Sequence, residues 1–354
     1  MNIHELFDTM NQRKASDLHL KPGAAPTLRI HGQLVPLEDH NPPSAEELEA
    51  IFQTMVSDEQ LSEFKRNYEL DYSYQTDDHL RFRVNASIQR GKISLAFRRV
   101  TMHIPSIDDL NLHPLCKELA VKNQGLILVT GPAGSGKSTT LAAMIEHLNQ
   151  REARRIVTVE DPIEYLYEDK QSFITQRELG SDTRSFVVAT IQALRQDPDV
   201  ILVGEMRDPD TMAACLTAAE TGHLVLSTMH TNNAPQTIDR IVDSFPPHQQ
   251  GQIRMQLSLT LIAVLAQRLL PRLDKPGRIP VMEIMVANNA VRNLIREGRT
   301  HQMRNVIQTS KDLGMQTMED SLRKRYQQGL ISMDMALANA NDEKNLRTRL
   351  NGTF

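Results

Sequence analysis

The chain has 354 residues and a formal net charge of −4, which is long enough for two domains. The acidic balance and an aromatic content of 4% argue against a nucleic-acid-binding surface, because such surfaces favour basic grooves with stacking rings. The two cysteines, Cys116 and Cys215, form no CxxC pair, which fits a reducing compartment and excludes a disulfide framework or a zinc site.

No targeting or membrane segment is apparent in the sequence. The opening "MNIHELFDTMNQRK" carries acids and polar residues where a secretory leader needs an apolar region. The most apolar stretch, "LSLTLIAVLA" (257–266), is shorter than the roughly 18 residues of a membrane span and is predicted to be a buried helix or strand. We therefore expect a soluble cytoplasmic protein.

Residues 1–100 mix short alternating runs with helical ones and predict a small α+β domain. A stretch rich in Pro, Asp and His (101–114) is typical of a linker. Before it, residues 79–100 alternate like a β-hairpin that turns at Arg90 and Gly91. Matching the apolar faces of its strands places Arg83 opposite Arg98, with Arg81 on the same polar face. Like charges placed in this way repel, and a bound anion between them would relieve the repulsion.

Residues 115–354 change in character. The apolar runs "GLILVTG", "RRIVTVED", "DVILVGE" and "HLVLSTMH" are separated by helical patterns, as expected for parallel strands buried on both faces. In the helical pattern 185–196, the apolar residues Val187, Ile191 and Leu194 share one stripe. Residues 251–354 are predicted to be largely helical. The fold class is therefore α/β with a smaller α+β N-terminal domain.

A phosphate-binding loop follows the first of these strands. "TGPAGSGKST" has the P-loop spacing between a strand and a helix, so backbone N–H groups and the helix N-terminus can surround phosphate oxygens. Lys137 is expected to reach the β- and γ-phosphates, and Ser138 to ligate Mg²⁺. The predicted ATP-binding residues are Gly131, Pro132, Ala133, Gly134, Ser135, Gly136, Lys137, Ser138 and Thr139. The alternative is a glycine-rich turn without a ligand.

Carboxylates follow two neighbouring strands at the edge where ligands bind in open α/β sheets. Glu160 ends "RRIVTVE", Glu164 is expected one turn further on, and Glu205 follows "VILVG". We hypothesise that Glu160 and Glu164 organise Mg²⁺ and its waters. Glu205 would orient or deprotonate the attacking water. The alternative is that these acids cap helices or pair with nearby arginines.

Two histidines flank the strand "LVLSTM". His230 lies at its carboxyl end, where a neutral imidazole can sense the γ-phosphate or its water. His223 lies at the opposite edge, where a catalytic role is harder to justify. A structural role is the alternative for both.

The hairpin arginines are candidates for the γ-phosphate of a neighbouring subunit, because they precede a linker and lie in a separate domain. Arginine fingers supplied in this way accelerate hydrolysis by about 10³–10⁵-fold. Arg81, Arg83 and Arg98 are therefore catalytic candidates together with Glu205, Glu160, Glu164 and His230, and Ser138 and Glu160 are the candidate metal ligands. The alternative for the arginines is a solvated basic face.

The motifs together resemble the secretion-type hexameric ATPases of type IV pili and type II secretion. The resemblance covers nearly the whole chain and includes "SDLHL", the P-loop, "EDPIE", "VGEMRDPDT" and "GHLVLSTMHTNNA". Within that group the chain is similar to the pilus retraction ATPases of the PilT family. "NAVRNLIREGRTHQM" (289–303) matches their signature, with Val291 where Ile is frequent. The cysteines of the zinc segment typical of assembly motors are missing from "PRLDKPGRIPVMEIM".

The resemblance implies a RecA-like ATPase core with a PAS-like N-terminal domain, assembled as a homohexamer. ATP hydrolysis would rotate a platform protein of the inner membrane and return pilin subunits to that membrane. The protein would be cytoplasmic, at the base of the pilus machine, and would reach the membrane only through its partners. Residues 290–295 would serve retraction rather than hydrolysis, although their spacing also fits ordinary helix core.

Other interpretations remain open at this point. A second, accessory retraction ATPase or an assembly motor shares most of these motifs. A P-loop small-molecule kinase is usually shorter and needs a lid and an acceptor pocket. A nucleic-acid translocase shares the core, but the net charge and aromatic content count against it.

Overall fold

The computed structural model describes residues 1–30, 32–76, 80–100 and 103–351, without the side chain of Asn351. The chain divides into two compact units. The first holds the described residues up to 100 together with Glu164–Leu166, and the second holds the remaining described residues. The domain limits expected from the sequence, 1–100 and 115–354, stay a prediction.

The first unit is an antiparallel sheet with helices. Its helices are α1 (Ile3–Gln12), α2 (Ala45–Met55) and α3 (Asp58–Asn67), and its strands are β1 (Asp17–Leu20), β2 (Thr27–Ile30), β3 (Gln33–Pro36), β4 (Glu69–Gln75), β5 (Arg81–Gln89) and β6 (Lys92–Arg99). The strand order is β3-β2-β1-β6-β5-β4. Phe7 of α1 stacks on Phe82 of β5 at 4.1 Å between ring centroids and packs edge-on against Phe97 of β6. This aromatic contact fixes α1 on the sheet, as offset and edge-to-face ring pairs commonly do.

The predicted hairpin and its register are confirmed. Strands β5 and β6 pair from Gln89 and Lys92 outwards, which leaves Arg90 and Gly91 as the two-residue turn. Both turn residues have positive φ, 50° and 73°, as such turns require. Arg83 pairs with Arg98, as the matching of apolar faces predicts.

The second unit is built on a mostly parallel sheet. Its strands are β7 (Gly125–Thr130), β8 (Arg155–Glu160), β9 (Phe173–Glu178), β10 (Val200–Val203), β11 (Leu224–Met229), β12 (Leu261–Pro271) and β13 (Arg278–Val286). Its helices are α4 (Leu115–Ala120), α5 (Lys137–Asn149), α6 (Phe186–Ala193), α7 (Pro209–Glu220), α8 (Ala234–Asp243), α9 (Pro247–Thr260), α10 (Asn289–Glu297), α11 (Met303–Thr309), α12 (Met318–Gln327), α13 (Met333–Ala338) and α14 (Glu343–Asn351). Short 3₁₀ turns cover Thr300–Gln302 and Lys311–Leu313.

The strand order is β13-β12-β7-β11-β10-β8-β9, and all neighbours are parallel except β13, which runs antiparallel to β12 at one edge. The residues of β7, β10 and β11 are all buried, which explains their continuous apolar runs. The predicted α/β class is confirmed. Because β8, β10, β11 and β7 are neighbours, the segments that follow them emerge at one edge of the sheet.

Three expectations for the second unit need correction. The expectation that residues 251–354 are largely helical fails for residues 261–286, because α9 ends at Thr260 and β12 and β13 then form a long hairpin. An apolar run buried in a sheet cannot be distinguished by periodicity from a buried helix. The predicted stripe of α6 is also wrong, since Ile191 is 46% exposed while Ala189 and Ala193 are fully buried.

The third correction concerns the segment 101–114, which was expected to be a flexible linker and is described from His103 onwards. Ile107 and Leu112 are buried in the core of the second unit together with Cys116. The apolar side chains of this stretch therefore fix it by packing. A linker role for the segment stays a prediction.

Within the described ranges, no helix combines the length and the apolar character that crossing a membrane requires.

Candidate functional site

The P-loop connects β7 to α5 through glycines that no other residue could replace without strain. Gly131 has φ +144°, and a Cβ there would lie 2.2 Å from the backbone oxygen of Gln267. Gly134 and Gly136 have φ +73° and +84°. A Cβ on Gly134 would meet nothing within 4 Å, so this position opens onto free space. The loop therefore lies against β12 and leaves room on its outer side for a ligand.

Gln267 of β12 braces this loop and was missed in the sequence. Its Nε2 donates to the backbone oxygen of Ser135 at 2.7 Å, and its Oε1 accepts from the Thr140 hydroxyl at 2.7 Å. Only 2% of Gln267 is exposed. The residue lies 127 positions from Thr140 in a region expected to be helical, so no local pattern could reveal it.

The polar groups of the loop fit a phosphate. The Lys137 ammonium is largely buried and donates to the backbone oxygens of Gly131 and Pro132 at 2.9 and 3.1 Å. The Ser135 hydroxyl is buried and finds no hydrogen-bond partner among the described residues. Ser138 is exposed on the first turn of α5, next to the half-buried Thr139. A buried donor such as the Ser135 hydroxyl, close to a helix N-terminus, is what an incoming phosphate satisfies.

Glu205 and His230 meet at the predicted edge. The Gly204 N–H donates to the Val159 oxygen and the Met206 N–H to the Thr228 oxygen, so the chain after β10 stays between β8 and β11. Only 9% of Glu205 is exposed, and its Oε2 lies 3.4 Å from Nε2 of His230. Sequence reasoning placed both residues at this edge but could not show that they touch.

Arg207 also contacts Glu205 and was not among the candidates. Its guanidinium forms an ion pair with Oε1 of Glu205, while 67% of the arginine side chain stays exposed. An ion pair that is largely exposed on one side stabilises little and can open readily. The expected alternative, in which Glu205 pairs with a nearby arginine, is therefore present together with the histidine contact.

The helix that follows, α7, is preceded by its N-cap Asp208, whose carboxylate accepts from both the backbone N–H and the hydroxyl of Thr211. Partial burial alone would raise the pKa of Asp208, but these hydrogen bonds hold it below its usual value. The N-cap thereby fixes α7 directly behind the segment that carries Glu205.

Glu160 lies at the end of β8, where its Oε1 accepts from the Thr158 hydroxyl at 2.7 Å and from Nε2 of Gln176 at 3.3 Å. Glu164 does not follow one helical turn later, because residues 161–164 form a bend and irregular chain. Glu164 is exposed and falls in the first compact unit, whereas Glu160 falls in the second. The expected one-turn spacing is wrong, since the stretch contains Pro162 and lacks helical hydrogen bonding.

His223 precedes β11 at the opposite edge of the sheet. Its Nδ1 lies 3.0 Å from the Ala218 oxygen and 3.2 Å from the Thr221 hydroxyl. It satisfies backbone groups at the end of α7, which is the structural alternative for this residue.

The hairpin arginines share one face of the sheet in the first unit. Arg83 is exposed, Arg81 is half-buried, and Arg98 donates from Nε to Asp17 at 2.8 Å. Asp17 is 6% exposed and also lies 3.9 Å from Nε of Arg29. The anion that the like-charge argument requires is therefore supplied for Arg98 by Asp17 within its own unit. Both opposed arginines are exposed, and that correction leaves Arg83 as the candidate for an anion from outside its own unit.

The segment 290–295 lies in α10 and is partly core. Val291 and Ile295 are fully buried, which agrees with the structural alternative. Arg292 donates to the backbone oxygens of Ser258, Leu259, Leu261 and Ala287 at 2.6 to 3.2 Å. It thereby caps α9 at the point where β12 begins.

No group of three or more His, Cys, Asp and Glu side chains that could hold a metal occurs among the residues that the structure describes. Mg²⁺ at nucleotide sites is usually held by one or two protein oxygens together with the phosphates. Ser138 and Glu160 are the residues present that fit this arrangement.

A glycine loop between a parallel strand and a helix, with carboxylates at the ends of neighbouring strands, defines the core of a P-loop nucleoside triphosphatase. The profile of the family described as Type II/IV secretion system protein matches residues 2–276. The chain belongs to this family.

Two curated relatives and one solved structure are similar over most of the chain. A "Twitching motility protein" of Neisseria gonorrhoeae is 45% identical over 91% of this chain and 86% of its own length. "Type IV pilus retractation ATPase PilT" of Pseudomonas aeruginosa is 42% identical over 98% and 100%. The crystal structure of "the Pilus Retraction Motor PilT and Bound ADP" is 43% identical, covers 98% of this chain and 99% of that one, and has a TM-score of 0.91. The expected resemblance and the assignment as an ATPase are confirmed.

Proposed function

We propose that the chain is a hexameric motor ATPase that powers retraction of type IV pili and so twitching motility. The observation that carries the proposal is the contact between Glu205 and His230. It lies at the edge of the sheet where β7 ends and the P-loop begins. This edge is where a phosphate and an attacking water would meet. The names of the similar proteins, a retraction ATPase and a twitching motility protein, supply the cellular process.

The P-loop holds the nucleotide in this proposal. The Lys137 ammonium leaves the two loop oxygens that it now contacts and pairs with the β- and γ-phosphates. Ser138 and Glu160 hold Mg²⁺, which neutralises charge that develops on the phosphates. Glu164 is a candidate only for contacting the waters around Mg²⁺, because the helical turn that would bring it over Glu160 is not formed.

Glu205 acts on the water. Its buried carboxylate accepts a proton from the attacking water. The water oxygen bonds to the γ-phosphorus, and the bond between the γ-phosphorus and the β,γ-bridging oxygen breaks, so that ADP leaves. His230, at 3.4 Å, orients that carboxylate and senses the departing phosphate. Arg207 neutralises the charge of Glu205 when no nucleotide is bound.

The arginines of the first unit complete the site from the neighbouring subunit. Arg83 is exposed, with Arg81 two residues away on the same strand face. Arg98 donates to Asp17 within its own unit. We therefore assign Arg98 a positioning role and assign the contact with the neighbour's γ-phosphate to Arg83. Head-to-tail contacts of this kind form a ring when the rotation closes. With the resemblance to the secretion-type hexameric ATPases, this leads us to propose a homohexamer.

The partners and the location follow from the same proposal. The motor works in the cytoplasm at the base of the pilus machine and acts on a platform protein of the inner membrane. No partner is nucleic acid. An accessory retraction ATPase or an assembly motor is the second candidate, because the same site would serve it equally well.

Glu205→Gln is expected to bind ATP with near-normal affinity and to lose about 10²–10⁴-fold in turnover, because an amide cannot accept the proton of the water. Steady-state phosphate release and titration with a non-hydrolysable ATP analogue measure the two effects. Glu220→Gln, which makes the same change at the far end of α7, serves as the control and should behave as wild type. Near-normal hydrolysis by Glu205→Gln would end this assignment.

Mixing two inactive variants tests the supply of arginine by the neighbour. Arg83→Ala keeps an intact P-loop and Lys137→Ala keeps an intact Arg83, so a mixed ring contains interfaces with both groups. We expect each variant alone to lose most of its hydrolysis and the mixture to regain part of it. A mixture of Lys137→Ala with the double variant Lys137→Ala, Arg83→Ala is the control, and it should stay inactive. If rings that contain both variants assemble and still recover no hydrolysis, Arg83 does not act in trans.

Deletion of the gene tests the direction of the motor. We expect excess surface pili and no twitching, since assembly continues while retraction stops. Electron microscopy of surface pili and a twitching-zone assay measure both. Bald cells would instead indicate an assembly motor, and normal twitching would contradict a principal retraction role.

A further inference from the structure

The side-chain amide of Gln267 has only one orientation that satisfies its surroundings. It lies between the backbone oxygen of Ser135 and the hydroxyl of Thr140, each at 2.7 Å. A carbonyl oxygen only accepts hydrogen bonds, so the amide nitrogen must face Ser135. The amide oxygen then accepts from Thr140, on the first turn of α5. Both ends of a buried amide are therefore used, which is the condition for burying it without penalty.

This contact controls the direction of a backbone donor in the P-loop. In a planar trans peptide the C=O and the following N–H point in opposite directions. Because the Ser135 oxygen is held towards β12 by Gln267, the Gly136 N–H points away from β12. A Cβ on Gly136 would lie only 3.0 Å from Nε2 of Gln267, which shows how closely the amide covers this peptide.

Further contacts with β12 hold the P-loop in place. The backbone oxygen of Gln267 lies where a Cβ of Gly131 would be, at 2.2 Å. Gln267 therefore contacts Gly131 through its backbone and Gly136 through its side chain. β12 also pairs with β7, the strand that enters the loop, as far as Ala266 and Thr130.

We propose that Gln267 is a positioning residue of the ATP site: its amide orients the Ser135–Gly136 peptide so that the Gly136 N–H binds a nucleotide phosphate. Thr140 fixes the direction of the amide. The inference rests on the proposed assignment of the P-loop as the phosphate site and adds a residue that contacts no ligand itself. It explains why a polar side chain is buried directly after the six apolar residues that open β12.

Gln267→Met and Gln267→Glu test the proposal. Methionine keeps the length without a donor, and glutamate keeps the acceptor for Thr140 but cannot donate to Ser135 when ionised. We expect the Kd for ADP and the KM for ATP to rise together by about three- to tenfold in Gln267→Met, as for one lost hydrogen bond. The kcat should stay within about twofold, because the loop binds phosphate in the ground state and the transition state alike. Gln267→Glu should weaken binding further, since it adds negative charge behind the phosphate site.

Gln316 offers a matched control. Its Nε2 donates to the backbone oxygen of Met282 at 2.9 Å, so Gln316→Met and Gln316→Glu remove the same kind of hydrogen bond at another place. Both should leave nucleotide affinity unchanged. Thr140→Val, which frees the amide to turn, should raise the Kd for ADP in the same direction as Gln267→Met, and Thr140→Ser should restore it.

Two results would overturn the inference. One is an ADP Kd within about twofold of wild type in a folded Gln267→Met protein. The other is a loss of kcat at unchanged Kd, which would indicate general loosening rather than phosphate positioning. Wild-type protein that bound no ADP would overturn the site assignment itself, so the two failures are distinguishable.

Discussion

The close approach of the P-loop to β12 is the constraint on which the site depends. Gly131 has room for no side chain because the backbone of Gln267 occupies that space. The loop is therefore folded by its contact with the sheet before any nucleotide arrives. A preformed loop spends less of its binding free energy on ordering, which is the general advantage of a preorganised site. β12 belongs to the part of the chain where the sequence indicated helices, so the residue that supports the motif was found only in the structure.

Parallel strand order brings the other groups to the same edge. β10 lies between β8 and β11, and the chain after it continues between them through two backbone hydrogen bonds. Glu205 therefore emerges beside His230 rather than in open solvent. The glycine between the strand and this acid places the carboxylate one residue beyond the position where such strands usually carry a metal-binding acid. This offset favours a role on water over direct metal ligation.

The strongest sequence patterns gave the correct local structure. The P-loop spacing, the apolar runs and the alternating hairpin depend on short-range geometry, and the opposition of Arg83 and Arg98 followed from the pleat alone. What failed depended on distant contacts. The partner of Arg98 is Asp17, about eighty residues away, and the support of the P-loop comes from a strand late in the chain. Glu164 was misplaced because a helical turn was assumed where Pro162 interrupts it. Neither propensity nor periodicity contains this information.

The central claim is that the P-loop binds the nucleotide phosphates. The affinity of Lys137→Ala for ADP tests it most directly. The Lys137 ammonium contacts the backbone oxygens of Gly131 and Pro132. When nucleotide binds, the ammonium must leave these oxygens and contact phosphate oxygens instead. Fluorescence titration of ADP, with melting temperature recorded to confirm folding, should give a Kd on the order of 10- to 100-fold above wild type, as for a lost charged hydrogen bond. A folded variant that bound ADP as tightly as wild type would contradict the account.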